Sequence, residues 1–178
     1  MPCSRRSALK LGLGCALASD PAYALSFGTV DWPQLGDTLV PVDHPADSIR
    51  AESVIAGAQP ILAWPRDPSS GKLRTSLFSQ ILVLRLAGPG KADDSHRLLA
   101  FSAVCKHAGC IVSSWLPDQH LLLCPCHGSE YDPTRDGAVV KGPAALPLPS
   151  MPIKVVSGVI TIAGHFSAQP GGVTGRTD

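Results

Sequence analysis

Proline recurs at positions 33, 41, 45, 60, 65 and 68 and interrupts every apolar run between residues 25 and 75. Each proline lacks an N–H donor and has a fixed φ, so only short strands fit that stretch. Over the 178 residues, 17 Pro and 17 Gly accompany 44% hydrophobic and 16% charged residues. The apolar share is enough for a buried core and the low charge excludes global disorder. The turn-forming content argues against a helix bundle and for strands joined by turns. Fifteen Lys and Arg against fourteen Asp and Glu leave a formal charge of +1. With no basic stripe, nucleic-acid binding has no electrostatic support. No run of about 18 apolar residues occurs, so a conventional spanning helix is not expected.

Beyond residue 75 the strands are clearer. Gln80 to Ala87 is a run of aliphatics around Arg85, Arg97 to Val104 a second strand, and Gln119 to Leu123 a third. Gly137 to Lys141 is short and β-branched. Pro152 to Val156 and Val159 to Ala163, joined by Ser157-Gly158, read as a hairpin. Pro89-Gly90 with Asp93-Asp94 reads as a charged turn, Arg97 as solvated charge, and Gln169 to Asp178 as a loose, flexible tail. The expected fold class is all-β, an antiparallel sandwich or barrel. The stretch from about 103 to 147 is expected as a loop-built insertion between base strands.

The first 24 residues read as an address. Ser4-Arg5-Arg6 precedes a short apolar stretch, Leu11 to Ala18, and Ala22-Tyr23-Ala24 supplies a small-x-small exit. Paired arginines before a mild, glycine-containing stretch resemble a twin-arginine export signal, with Ala8 where that pattern usually has Phe. This places the chain in the periplasm, where a disulfide persists, and predicts a cofactor inserted before export. About eight apolar residues are too few to cross a bilayer. Cys15 follows Leu13-Gly14, and a lipid-modified cysteine is the alternative reading there.

Four of the six cysteines form two clusters, Cys105-Lys106-His107-Ala108-Gly109-Cys110 and Cys124-Pro125-Cys126-His127-Gly128-Ser129. Each follows an apolar strand and offers one thiolate and one imidazole, giving Cys-x-His, sixteen residues, then Cys-x-x-His. Two Cys and two His would hold one tetrahedral zinc. They would equally hold a two-iron cluster, two thiolates on one iron and two imidazoles on the other. A zinc site would leave no use for Cys110 and Cys126.

The two boxes resemble those of the high-potential Rieske [2Fe-2S] iron–sulfur proteins, over about residues 78 to 165. These are the iron–sulfur subunits of quinol–cytochrome c reductases and the small subunits of arsenite-oxidase-type molybdenum enzymes. The resemblance implies a Rieske-type domain over residues 25–168, with one [2Fe-2S] cluster. Cys105 and Cys124 would bind the inner iron, His107 and His127 the outer, and Cys110 and Cys126 would form a disulfide. Such a bridge closes a loop worth roughly 3 kcal/mol by the chain-entropy model. Ser129 and Tyr131 stand where this family places hydroxyl donors, onto a bridging sulfide and the Cys105 thiolate respectively. Such bonds raise the potential within the roughly −150 to +300 mV Rieske range. Gly142-Pro143-Ala144 resembles the proline loop that shields the cluster from water.

The implied function is one-electron transfer within a respiratory complex of the quinol–cytochrome c reductase type. Outer histidines that titrate with redox state would suit a quinol, which gives up an electron and a proton together. The partners would be a c-type cytochrome, a larger catalytic subunit, or both, with quinol reached through the complex. Contact with the membrane would come only through that complex or an uncleaved signal. Ala108 stands where the quinol-oxidising subunits commonly carry a branched aliphatic, which favours instead a small subunit of a periplasmic molybdenum oxidase or a free-standing carrier. A structural zinc module and a low-potential ferredoxin or oxygenase component are the remaining readings. No nucleophile–base pair or carboxylate pair is apparent, so no catalytic residue is assigned and the chain is not expected to be catalytic alone. His44, His96, His120 and His165 read as surface or loop residues, and Trp32, Trp64 and Trp115 as core or loop anchors.

Overall fold

A computed structural model describes residues 31–88 and 97–172. The expected export signal, Cys3, Cys15, Asp93, Asp94, His96 and residues 173–178 lie outside them. Among the described residues there are ten strands and three single-turn 3-10 helices, Ala51–Ser53, Leu77–Ser79 and Pro133–Arg135, with no α-helix. The strands are β1 (Thr38–Pro41), β2 (Ile61–Arg66), β3 (Ile81–Arg85), β4 (Leu98–Ser102), β5 (Ser114–Leu116), β6 (Leu121–Leu123), β7 (Glu130–Asp132), β8 (Ala138–Lys141), β9 (Ile153–Val156) and β10 (Val159–Ile162).

They form two antiparallel sheets. The larger has the order β4-β3-β2-β1-β10-β9 and the smaller the order β5-β6-β7-β8. The outer edge of β4 bonds to the lead-in to β9: Ser102 N–H donates to the Pro149 carbonyl and Met151 N–H to the Ala100 carbonyl, each at 2.8 Å. These bonds cover an edge that would otherwise expose unpaired backbone, and they curl the sheet nearly shut. The small sheet is built wholly from chain that leaves β4 and returns before β9.

Strand β3 explains the unbroken aliphatic run. Ile81 and Val83 point into the core of the large sheet with Leu39, Ala63, Ala100, Ile160 and Ile162. Leu82 and Leu84 point the other way, into a second core with Phe101, Val112, Leu122 and Leu148 beneath the small sheet. A strand with both faces covered needs apolar residues at consecutive positions. Arg85 ends the run and is 4% exposed. Its guanidinium donates to the carbonyls of Ala51 (2.6 Å) and Val54 (2.9 Å).

Three details differ from the sequence expectation. Pro65 lies inside a six-residue strand, paired with Leu39 of β1. It is tolerated because β3 pairs only with Ile61 to Ala63, so Pro65 sits beyond its neighbour's end, where no ladder N–H is needed. Arg97 is not simply solvated charge: its guanidinium donates to the carbonyls of Leu86 and Gly88, just beyond the end of β3. Of the stretch expected as a flexible tail from 169, residues 169–172 pack against the body, with Pro170 and Gly171 buried.

Candidate metal centre

Both Cys/His boxes fold into the same backbone turn. The N–H of Cys105 donates to the Cys110 carbonyl (2.8 Å), and the Cys105 carbonyl accepts from Gly109 N–H (3.1 Å). In the second box Cys124 N–H donates to the Ser129 carbonyl (2.8 Å) and its carbonyl accepts from Gly128 N–H (3.0 Å). The glycine four residues after each cysteine takes a left-handed φ, 78° at Gly109 and 71° at Gly128. A side chain there would be strained, and the turn would not close at low cost. One loop follows β4 and the other follows β6, so packing of the small sheet on β3 and β4 sets one against the other.

The loops are joined by a disulfide between Cys110 and Cys126, with Cα atoms 6.5 Å apart. Cys124 Sγ lies within 4.8 Å of both bridge sulfurs, yet it is free, as is Cys105, and both are buried. The rings of His107 and His127 meet edge to face with centroids 4.7 Å apart. His127 is exposed and His107 half-buried. His107 Nδ1 is buried and has no hydrogen-bond partner. A buried nitrogen lone pair without a proton donor costs free energy unless something binds it. Two free buried thiols and two adjacent imidazoles, one carrying that orphaned nitrogen, make a donor set that suits two irons held by sulfur and nitrogen.

The second layer works on the thiolates. The Tyr131 hydroxyl is 3.1 Å from Cys105 Sγ and accepts the Lys106 backbone N–H at 3.1 Å. With that N–H arriving, its proton is directed to sulfur. Burial raises the Cys105 thiol, but Tyr131, the His107 backbone N–H, Cys124 and Ser129 together bring it below its ordinary value. Cys124 moves up, through burial and the negative charge at Cys105, and backbone N–H groups of Cys126 and His127 only partly offset this. Tyr131, fully buried, is held strongly protonated by burial and by the adjacent Cys105 sulfur. The Ser129 hydroxyl accepts Ala144 N–H at 3.2 Å, which ties the Gly142-Pro143-Ala144 segment to the second loop. Gly142 belongs at this crossing: a Cβ there would lie 2.5 Å from Ser129 Cα and 2.6 Å from the Gly128 carbonyl oxygen.

The structure sets His107 beside His127, Cys105 beside Tyr131, and the sulfurs of Cys110, Cys124 and Cys126 within 4.8 Å of one another, while Pro143 is exposed. Sequence reasoning missed the part played by the Lys106 backbone and read Trp115 as a core or loop anchor without its partner. The Lys106 backbone N–H, which steers the Tyr131 proton, carries no side-chain signal. Trp115 reaches from β5 to bond the Gly57 carbonyl at 3.1 Å, and Gln59 bonds the Ser113 carbonyl at 3.0 Å, tying the small sheet to the large. His44, His120 and His165 are exposed and outside the centre.

Residues 68–152, just under half of the chain, match the family model described as "Rieske [2Fe-2S] domain". The chain is 46% identical over 76 residues to the "putative respiratory nitrate reductase subunit Rieske" of Haloferax mediterranei, covering 41% of this chain and 34% of that protein. It is 43% identical over 68 residues to the "cytochrome bc1 complex Rieske iron-sulfur subunit" of Corynebacterium diphtheriae (38% of this chain, 17% of that protein). It is 36% identical over 108 residues to the "cytochrome b6-f complex iron-sulfur subunit 3" of a Nostoc species (58% and 59%). The chain spans less than two thirds of the length of each of these relatives. The matching segment contains both loops, the disulfide, Tyr131 and the Gly142–Pro143 crossing, and on these grounds residues 68–152 are a Rieske [2Fe-2S] domain.

Proposed function

We propose that this chain is an exported one-electron carrier with a high-potential Rieske cluster, acting as the iron–sulfur subunit of a respiratory complex of the quinol–cytochrome c reductase type. In this reading Cys105 and Cys124 hold the inner iron and His107 and His127 the outer. The observation that carries it is the pairing of two free buried thiols with two touching imidazoles across loops latched by a disulfide. When bound, the [2Fe-2S] cluster supplies one-electron redox chemistry.

The residues of the chain supply the rest. Burial of Cys105 and Cys124 keeps water from the sulfurs. Tyr131 donates its proton to Cys105, drawing electron density from sulfur and favouring the reduced state. The Gly142–Ala144 segment covers the second loop, and its hydrogen bond to Ser129 Oγ holds that hydroxyl in place. Exposed His127 provides the edge at which a redox partner approaches.

The test is the purified full chain. We expect two irons, visible absorbance and, on reduction, an EPR signal with hyperfine coupling to two nitrogens. A colourless protein holding a single zinc would overturn the assignment. Export to the periplasm rests on Arg5 and Arg6, and replacing both with Lys should retain the protein in the cytoplasm. Unchanged export of that variant would refute the twin-arginine reading.

A second reading is electron delivery to a different respiratory oxidoreductase, such as a molybdenum enzyme of the arsenite oxidase type. It is favoured by the relative named as a nitrate reductase subunit and by Ala108, exposed at the tip of the first loop. Co-purification from native membranes separates the two: a b-type cytochrome supports the first, a large molybdenum subunit the second.

A further inference from the structure

Each of the two ligand loops is crossed by a second piece of chain. On the second loop the crossing is Gly142, beneath which lie the Gly128 carbonyl and Ser129. On the first loop it is the segment Gln169–Gly172, which arrives from the C-terminal hairpin. That segment leaves the large sheet after Ser167 N–H bonds the Ser150 carbonyl at 2.9 Å. Lys106, 8% exposed, donates from Nζ to the Gln169 carbonyl at 3.0 Å. Pro170 is buried. A Cβ on Gly171 would lie 2.9 Å from the Phe78 ring edge, and one on Gly172 would collide with the His107 carbonyl oxygen and lie 3.0 Å from its carbon. The segment therefore touches consecutive residues of the first box, Lys106 through its side-chain Nζ and His107 at its main-chain carbonyl.

We infer that Gln169–Gly172 is a strap that positions His107, latched by Lys106, and that it does for the first loop what the Gly142 crossing does for the second. A histidine aims its ring from its backbone, so a fixed carbonyl at residue 107 narrows the directions open to Nδ1. The His127 ring packs against the same imidazole, and Nδ1 has no hydrogen bond of its own to fix it. Supporting groups that orient a metal-binding histidine are worth about 10–100-fold in metal affinity or activity. The inference rests on His107 being an iron ligand. The strap makes it a matter of tertiary structure that the first loop, ending in a small Ala108, keeps its ligand aimed.

The test uses the full-length, cluster-loaded protein and three glycine variants. Gly172→Ala places a methyl group against main chain that has no room to yield. Gly171→Ala meets the edge of the Phe78 side chain rather than main chain, and it adds left-handed strain at a φ of 93°. Gly36→Ala is the control: its φ of 89° matches the 93° of Gly171, with no atom within 4 Å of the added Cβ, so it carries the left-handed penalty of Gly171→Ala without a collision, a penalty that Gly172→Ala does not carry. Iron release under a chelator and the nitrogen couplings in pulsed EPR are compared at equal loss of melting temperature. Gly172→Ala should release iron about 10-fold faster and alter one of the two nitrogen couplings. Gly171→Ala should do so less, and Gly36→Ala should leave both as in the wild type. Should Gly172→Ala not fold, Lys106→Met removes the latch without a collision and should likewise release iron about 10-fold faster, with Lys106→Arg restoring the wild-type rate. A Gly172→Ala protein matching Gly36→Ala, or a Lys106→Met protein matching the wild type, overturns the strap. A wild-type protein lacking two nitrogen couplings overturns the ligand assignment instead, and the strap's role with it.

Discussion

Replacing Tyr131 with Phe removes one oxygen from a fully buried ring and two hydrogen bonds with it. The ring still fills its place in the core beneath the small sheet, so packing is nearly unchanged. The bond to Cys105 sulfur is charge-assisted, a class worth about 1.5–3 kcal/mol. Sulfur carries more negative charge when the centre is reduced, so the bond is stronger in that state. If about 1 kcal/mol of it distinguishes the two states, the potential drops by about 40 mV, since 59 mV corresponds to a tenfold change, or 1.4 kcal/mol, for one electron. The second loss is different in kind. Lys106 N–H is left without an acceptor in a buried setting, which costs about 1–3 kcal/mol whatever the redox state. Voltammetry and thermal unfolding separate the two effects. We expect a lower potential, a lower melting temperature and a full complement of iron. A protein with lower melting temperature but unchanged potential would show that the hydroxyl serves only the Lys106 N–H, and the argument for tuning through sulfur would fail.

Replacing His107 or His127 with Ala should abolish the visible absorbance, and retention of two irons in either variant would refute its role as a ligand. Cys110→Ser opens the bridge between the loops and should lower stability by roughly 3 kcal/mol by the chain-entropy estimate, read by denaturant unfolding of oxidised protein. An unchanged midpoint would mean the small sheet alone holds the loops in register. Hydrogen bonds from Lys72 and Arg74 hold the Asp31 carboxyl below its ordinary 3.8. A lowered folded-state value contributes stability that is complete above the unfolded value and is lost as pH falls through the lowered one. Asp31→Asn should therefore flatten the acid limb of the stability curve while barely changing its slope near pH 7, and an unaltered acid limb would count against this pairing.

The strands legible in advance are those whose burial is written in consecutive residues. Ile81 to Leu84 is apolar at every position because both faces of β3 are covered, and Val159 to Ile162 follows a Ser157-Gly158 turn whose two residues both take positive φ. Strand β7 was not visible. Glu130-Tyr131-Asp132 carries two acids, which are depleted in strands, yet it is paired on both sides, with Leu122 and Leu123 of β6 and with β8, where Lys141 lies opposite Glu130 and bonds it at 2.9 Å. Pro65 likewise reads as a break until the short reach of β3 is known.

The chemistry of the centre was present in residue types and spacing. Six Cys and His side chains at those intervals, with a glycine four residues after each ligand cysteine, specify two short turns that offer sulfur and nitrogen. The local turn energetics need only neighbouring residues, so a linear reading reaches them. What lies between the turns depends on contacts far apart in the chain. The meeting of His107 with His127 and the aim of the Tyr131 proton from Lys106 N–H onto sulfur follow from packing the small sheet against β3 and β4, and the course of residues 169–172 over the His107 carbonyl follows from where the hairpin of the large sheet ends. Side chains and carbonyls brought together across 20 to 65 positions leave no periodic trace in the sequence, and only the closed fold decides which of them touch.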